Sequence, residues 1–412
     1  MEREAPPASA SVVVVGGGIV GLSLAFELAR RRVEVVVLER AHVGAGAAGV
    51  AAGMLAPAAE AEHEDYSLAE LVRESQRRYP EFVRAVEAAA GRSCDYRRDG
   101  TLLAALHRDD EAELARLAAF QERLGLSCTW IPAEAARELE PQLSPRITGA
   151  LHAPDDHQIN PQATLAALER AIAGLGGRVV TAAWVTGFET RAGRLHQVVG
   201  QRVVPAPQSG GPQHPEAAVP FTVRCEAAVL AAGAWSSQDV DWPGAPLGVR
   251  PVKGQLLHLR GPELLQRVVR SPQVYLVPRR DGELVVGATM EEMGFDSTPT
   301  AGAVMDLLWQ ARLLVPAIYD LALTQVKVGF RPATRDHLPL IGPTEVEGLY
   351  AATGHFRHGV LLAPATAALL ADVLTGGAAS PLLAPFSPAR RAARTPRAAG
   401  AVGAAGAAGG AA

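Results

Sequence analysis

An apolar run of strand type, Val12-Val13-Val14-Val15, leads into a turn with glycine at positions 16, 18 and 21. This Gly-x-Gly-x-x-Gly turn constrains the chain more than any other feature. A helical pattern follows, with Ile19, Leu22, Leu24, Ala25 and Leu28 on one side, and ends near Arg30-Arg31-Arg32. A second apolar run, Val33 to Leu38, then delivers Glu39, eighteen residues after Gly21. The order strand, turn, helix, strand, acid is that of a dinucleotide-binding unit. Gly16 permits the tight turn, Gly18 lets backbone approach a pyrophosphate, and Gly21 lets helix and strand pack closely. The helix N-terminus, with Ile19 and Val20, offers its partial positive charge to the phosphates. Glu39 is placed to accept hydrogen bonds from a ribose. FAD and NAD both satisfy this motif.

The 412 residues suffice for two domains, and 48% apolar with 20% charged residues describe an ordinary soluble protein. A net charge of −4 gives no reason to expect a nucleic-acid partner. Cys94, Cys128 and Cys225 lie far apart without metal-ligand spacing, which predicts reduced thiols, no metal and a cytoplasmic protein. Glu2 and Glu4 replace the basic start of a signal peptide, and four glycines and Glu27 interrupt the apolar run over 11–29. No membrane span is expected.

Downstream of Glu39-Arg40, residues 43–57 are almost all Ala, Gly and Val, with Ala47, Ala48, Ala52, Gly53 and Met54 among them. Such a stretch reads as backbone packed against a flat ligand, because linkers are usually polar. Helices are predicted over 65–90 (broken or kinked near Pro80), 109–124, from Asn160-Pro161 onward, 299–316 and 359–374. Hairpins are predicted over 96–106, turning at Asp99-Gly100, across Arg191-Ala192-Gly193, and across Asp281-Gly282. A strand is expected over 178–185, passing Val185, and a Pro/Gly/Gln-rich loop over 200–220. Buried strands over 227–235 and 349–353 run into small residues, the first at Gly233 and the second at Gly354. Strand-rich inserts separate these pieces of one nucleotide-binding unit. That discontinuity favours an FAD fold over a compact NAD domain. The expected fold class is α/β (α+β), with a Rossmann-like unit from 11–90, 150–240 and 325–378. A substrate domain on a mixed, largely antiparallel sheet is expected from 91–149 and 241–324. Disordered tails are expected over 1–10 and 385–412, since Ala/Gly-rich sequence buries too little apolar surface to offset its ordering entropy.

Five stretches carry a resemblance that spans about 12–376: VVVVGGGIVGLSLAFELA, AAGMLAPAAEAE, YLVPRRDGELVVGATMEEMGFD, VGFRPATRDHLPLIGP and ATGHFRHGVLLAPATA. The chain resembles the D-amino-acid-oxidase-like FAD oxidoreductases, and within them glycine oxidases of the ThiO type. The resemblance implies FAD contacts from Ile19-Val20, Glu39-Arg40, Ala47-Ala48, Ala52 to Met54, Val185 and His355 to Leu361 (that is, Phe356, Arg357, His358, Gly359 and Val360 between them). It implies a substrate carboxylate held by Arg331 and Tyr275, an amine side approached by the Arg357 carbonyl, and a small pocket lined by Met54 and Met290. Ala48 and His358 depart from the Ser/Thr and Asn common in relatives.

A guanidinium presents a planar fork that matches a carboxylate, and a buried tyrosine hydroxyl needs a partner of that kind. Arg331 alone, before a proline at a strand end, could equally cap a surface, and Met54 and Met290 could be core fillers. His355 and His358 read as scaffold rather than as bases. The cysteine through which related sarcosine oxidases attach FAD has no counterpart here, so non-covalent FAD is expected. The implied partners are a small amino acid and oxygen, with a homotetramer by resemblance. A dehydrogenase using another acceptor, or a flavin-binding subunit of a larger complex, are the alternatives.

Overall fold

The computed structural model describes residues 5–60, 66–204, 217–238 and 240–391. Two eight-stranded sheets form its frame. In the first, Ser9–Val15 lies between Ala217–Leu230 and Val35–Leu38, parallel to both. Arg178–Val180 extends the sheet parallel to Val35–Leu38, and Leu349–Thr353 extends the other side parallel to Ala217–Leu230. Leu340–Pro343 adds an antiparallel edge, and the hairpin Ala183–Arg191/Arg194–Val204 joins Ala217–Leu230.

Strand side chains alternate across the sheet, and both faces are covered. Val12, Val14, Val35 and Val37 pack with the helices Ile19–Arg30, Tyr66–Ala90, Pro161–Gly174 and Gly359–Leu374. Val13, Val15, Val36 and Leu38 pack with Val185, Phe188, Leu195 and Val198 of the hairpin. A strand buried on both faces must be apolar throughout, which is why this segment reads as an unbroken Val run. Asn160 caps Pro161–Gly174, its Oδ1 accepting from the amides of Gln162 and Ala163 at 3.1 Å.

The second sheet runs in the order Ala322–Ala333, Arg250–Arg260, Glu283–Gly287, Tyr275–Pro278, Val268–Arg270, Thr101–Ala105, Gly149–Ala153, Thr129–Pro132. It is antiparallel except for Val268–Arg270 against Thr101–Ala105. Leu307, Ala311 and Leu314 of helix Ala301–Leu314 pack in the cluster on one face. A short ribbon, Met54–Leu55 against His157–Gln158, lies outside both sheets. Among the described residues no helix is long and apolar enough to cross a membrane.

Several expectations need correction. Thr101–Ala105 pairs with Gly149–Ala153 and Val268–Arg270, so no hairpin closes over 96–106; Arg97 bridges Gln158 instead. The strand expected over 178–185 is split at Ala182, whose φ of +54° sends the chain from the parallel sheet into the hairpin. Tyr66–Ala90 continues through Pro80 as one helix. Pro80 faces solvent, where water can satisfy the carbonyl it deprives of a partner, while Tyr79 and Val83 anchor the buried side. The loop expected over 200–220 is strand at both ends, and its centre, 205–216, lies outside the described residues. Ala322–Ala333, grouped in part with the dinucleotide unit, pairs along its length with Arg250–Arg260 in the second sheet. A pairing partner cannot be read from a strand's own composition.

The tails also differ from expectation. Ser9 and Ala10 already pair with Arg224 and Cys225. Residues up to Arg391 form 3-10 turns, with Phe386 fully buried and Arg390 donating to the Leu338 and Pro339 carbonyls. Residues 392–412 lie outside the described residues. Phe386→Ala is expected to lower the unfolding free energy by about 3–5 kcal/mol, the usual cost of truncating a buried phenylalanine. Chemical denaturation checks it, and an unchanged midpoint would mean that this segment contributes nothing.

Candidate active site

The three glycines of the turn are required for three different reasons. Gly16 has φ of +118°, and a Cβ there would sit 2.4 Å from the Ala231 carbonyl oxygen on the adjoining strand end. A Cβ on Gly21 would sit 2.1 Å from the Gly16 carbonyl oxygen, so helix and turn could not close up. Around Gly18 there is nothing within 4 Å of a Cβ, and its φ is an ordinary −82°. What makes a side chain unwelcome there is the cavity, which Gly18 lines. Gly18 also caps Ile19–Arg30 without a side-chain hydrogen bond, and no acid sits in the first helical turn. The positive end of the helix is thus left for an anion.

Glu39 follows the second strand. Its Oε2 accepts from the Gly17 amide at 2.7 Å and its Oε1 from the Ala41 amide at 2.8 Å. These bonds hold the carboxylate beside the glycine turn, with lone pairs left for a diol. Arg40 lies over the Trp235 ring, 4.9 Å from its centroid, and Trp235 stacks on Phe295 at 5.1 Å. Gly233, with φ of +55°, turns the chain after Leu230, and its carbonyl accepts from Thr353. A cavity of about 480 Å³ begins here. Ile19, Val20, Ala47, Ala48, Ala52, Gly53, Met54 and Val185 line it, as do His355, Phe356, Arg357, Gly359 and Val360. The mostly apolar wall with an anion cradle and a carboxylate at one end suits a flavin dinucleotide.

The same cavity reaches Tyr275 and Arg331. Arg331 lies on Ala322–Ala333, opposite Val252, and its Nη1 donates to the Thr289 carbonyl at 3.0 Å. Tyr275 opens the strand beside Glu283–Gly287. Two glycines make room for this pair. A Cβ on Gly254 would sit 2.4 Å from Arg331 Nη1, and one on Gly287 would sit 2.5 Å from the Tyr275 hydroxyl. Burial pushes the Tyr275 phenol up to about 12, although the neighbouring Arg331 guanidinium acts to lower it. The hydroxyl therefore keeps its proton at neutral pH and can donate to a carboxylate. Glu60 also lines the cavity, with Arg270 4.0 Å away.

Not every expected residue arrives. Met290 is 62% exposed and apart from the cavity lining. The reason is local: Thr289 turns its carbonyl to Arg331 and its amide to Gln255, and Lys253 pairs with Glu291 beyond. Gly21 packs against Gly16, Leu361 lies in the helix core, and His358 caps Gly359–Leu374; none of the three lines the cavity. Burial, with His358 adding to it, pushes His355 down to about 3, and its Nε2 meets Thr366 Oγ1 at 3.1 Å. It is a neutral scaffold group. Arg357 is exposed, over the Phe356 ring.

Sequence reasoning missed Trp235, Glu60, Gly254, Gly287 and Thr289 as parts of the site. Trp235 was visible at the end of an Ala/Gly-rich strand end. The two glycines gave no signal, because the side chains that need their space come from other strands.

The family model described as DAO, FAD dependent oxidoreductase, matches residues 11–373. The chain belongs to this family. FAD is the cofactor of this family. Cys94, Cys128 and Cys225 are not among the residues that line the cavity, and burial pushes the Cys94 and Cys225 thiols up to about 12. Among relatives, the bifunctional protein ThiO/ThiG of Trichormus variabilis is 36% identical over 92% of this chain and 55% of its own. The chain thus spans about half the length of the curated relatives it first matches. The glycine oxidase of Geobacillus kaustophilus is 33% identical over 92% of this chain and 96% of its own. A crystal structure of glycine oxidase from that organism superposes with a TM-score of 0.83 at 32% identity, covering 93% of this chain and 99% of that one. The mixed architecture of a Rossmann-type unit and a largely antiparallel sheet is shared with it.

Two variants test the FAD cradle. Gly18→Val is expected to fold with an unchanged unfolding midpoint, since its side chain meets no protein atom at the Cβ, yet to lose measurable FAD binding in a titration of apoprotein. Retained binding would place the pyrophosphate elsewhere. Glu39→Ala removes a charged acceptor contributing on the order of 1.5–3 kcal/mol, so FAD affinity is expected to fall roughly ten- to hundredfold. Unchanged affinity would remove Glu39 from the ribose site.

Proposed function

We propose that the protein oxidatively deaminates glycine and small related amines such as sarcosine and small D-amino acids. Glycine, oxygen and water give glyoxylate, ammonia and hydrogen peroxide. The observation that carries this reading is the meeting of Arg331 and Tyr275, from separate strands, in the cavity that also holds the dinucleotide cradle. Bound FAD supplies a hydride acceptor that passes its electrons to oxygen. The residues of this chain supply binding and orientation.

Arg331 takes the substrate carboxylate with its planar fork, and the Thr289 carbonyl holds the guanidinium from behind. Tyr275 donates its hydroxyl proton to the same carboxylate. Glu60, which also lines the cavity, offers a carboxylate to the amine side of the substrate. Apolar walls exclude water and strengthen both attractions. His355, neutral and bonded to Thr366, takes no part in proton transfer.

Retention of this whole constellation speaks for a chain active by itself rather than a flavin-binding subunit. The relatives named ThiO support a further step, delivery of the glycine imine to the thiazole part of thiamine biosynthesis. We further propose a cytoplasmic homotetramer. Exposed Met305 and Trp309, one turn apart on helix Ala301–Leu314, and exposed Tyr319 on the following Pro316–Asp320 turn support assembly.

Arg331→Ala leaves the substrate carboxylate poorly compensated inside an apolar cavity. Losing one partner of a buried charged pair costs about 2–5 kcal/mol, so kcat/KM for glycine is expected to fall roughly thirty- to several-thousandfold. FAD content is expected to stay unchanged, and an amine lacking a carboxylate should lose much less. Peroxide release under air with each substrate is the measurement. Near-normal glycine oxidation by the variant would remove the chemical support for an amino-acid substrate, and absence of peroxide from the unaltered protein would point to another acceptor.

A further inference from the structure

Arg279 directly follows the strand Tyr275–Pro278 and is only 4% exposed. Burial pushes its guanidinium down to about 10, opposed by Glu283 and Asp95, so it still carries its charge at neutral pH. Its described hydrogen bonds go to neutral oxygens. Nη2 donates to the Ala52 carbonyl, and Nη1 donates to the Ile159 carbonyl at 3.1 Å and to Gln158 Oε1 at 3.4 Å. Burying a cation on neutral partners is costly. The partners show what the arrangement achieves.

Ala52, Gly53 and Met54 wall the cavity. Gly53, with φ of +81°, lies so close to Ile159 that a Cβ would be 2.0 Å from the Ile159 oxygen, while the Ile159 amide donates to the Gly53 carbonyl at 2.9 Å. Met54 and Leu55 then pair with Gln158 and His157. Arg279 thus grips both halves of this stitched wall. At the other end of the same short strand stands Tyr275, beside Arg331. One strand, about 13 Å from residue 275 to 279, carries a substrate-holding group at its start and a wall-holding group just past its end.

We propose that Arg279 is a positioning residue that sets the spacing between the Ala52–Met54 wall, which the FAD site uses, and the carboxylate clamp on the substrate sheet. Its loss then shows in FAD binding and in kcat, while the clamp and KM stay intact. The turnover part rests on the glycine-oxidising reading above; the FAD-binding part does not.

Arg279→Lys keeps the charge and loses the planar fork that reaches two carbonyls at once; Arg279→Met removes both. The measurements are the unfolding midpoint, FAD affinity of the apoprotein by flavin fluorescence, and kcat and KM for glycine. Arg279→Lys is expected to fold, to bind FAD about tenfold more weakly, and to lose roughly ten- to hundredfold in kcat at nearly constant KM, the scale of an ångström-sized misplacement. A folded Lys variant with unchanged FAD affinity and kcat overturns the proposal, as does a raised KM at constant kcat. Failure of the Lys variant to fold would make Arg279 a staple of the fold and overturn it as well. If Arg279→Met alone fails to fold, the Lys variant still decides. If the unaltered protein does not oxidise glycine, the proposed function fails, and FAD affinity alone tests Arg279.

Discussion

The contact on which the rest depends is the approach of Gly16 to the Ala231 carbonyl. It joins the end of Ser9–Val15 to the end of Ala217–Leu230 with no room for a side chain. Because Val35–Leu38 and Leu349–Thr353 run parallel to these strands, all four carboxyl ends open on one edge of the sheet. Glu39, Ala231 to Gly233 and Gly354 to Gly359 therefore leave the sheet at the same edge. A ligand crevice outside the carboxyl ends of parallel strands follows from that geometry. The anion-binding helix end is placed there by the same turn.

The second sheet solves a different problem. Arg331 and Tyr275 are two large polar side chains that meet in a mostly apolar cavity, and packed strands leave little space. Gly254 and Gly287 provide it, Gly254 beneath the Arg331 guanidinium and Gly287 opposite Tyr275. Gly329, across from Gly254, relieves the contact with Val50 of the cavity wall in the same way. Each of these glycines weakens its strand by its entropy cost. The antiparallel pairing on both sides of Arg250–Arg260 offsets that cost.

Charge burial marks the boundary between the two sheets. Lys253, fully buried, donates to Asp296 at 2.8 Å and to the Thr298 carbonyl at 2.7 Å, which ties down the segment containing Thr289 and Phe295. Thr289 holds Arg331, and Phe295 stacks on Trp235 beside Arg40. Through these contacts Arg331 and the Arg40 end of the cavity are parts of one packed unit. Without partners, such cations would destabilise the fold by several kcal/mol.

The dinucleotide unit was legible because its signals are local. The valine run, the glycine spacing, the Asn160 cap and Glu39 act within a few residues of themselves or across one crossover, where periodicity and turn chemistry decide the outcome. Resemblance extended that reading to Arg331 and Tyr275. Pairing was not legible: Thr101–Ala105 looked like half a hairpin and joined strands some fifty and more than a hundred and sixty residues away. Nor was Met290, an apolar residue in a matching stretch, which turns to solvent because Thr289 is held by Arg331 and Gln255. By itself the sequence determined the Rossmann-type unit and the cofactor class. Only the tertiary structure decided which strands bring Arg331 and Tyr275 together, which glycines clear their space, and that Glu60 and Trp235 line the same cavity. Those outcomes depend on contacts between distant segments, and no local pattern in a single chain encodes the distance between them.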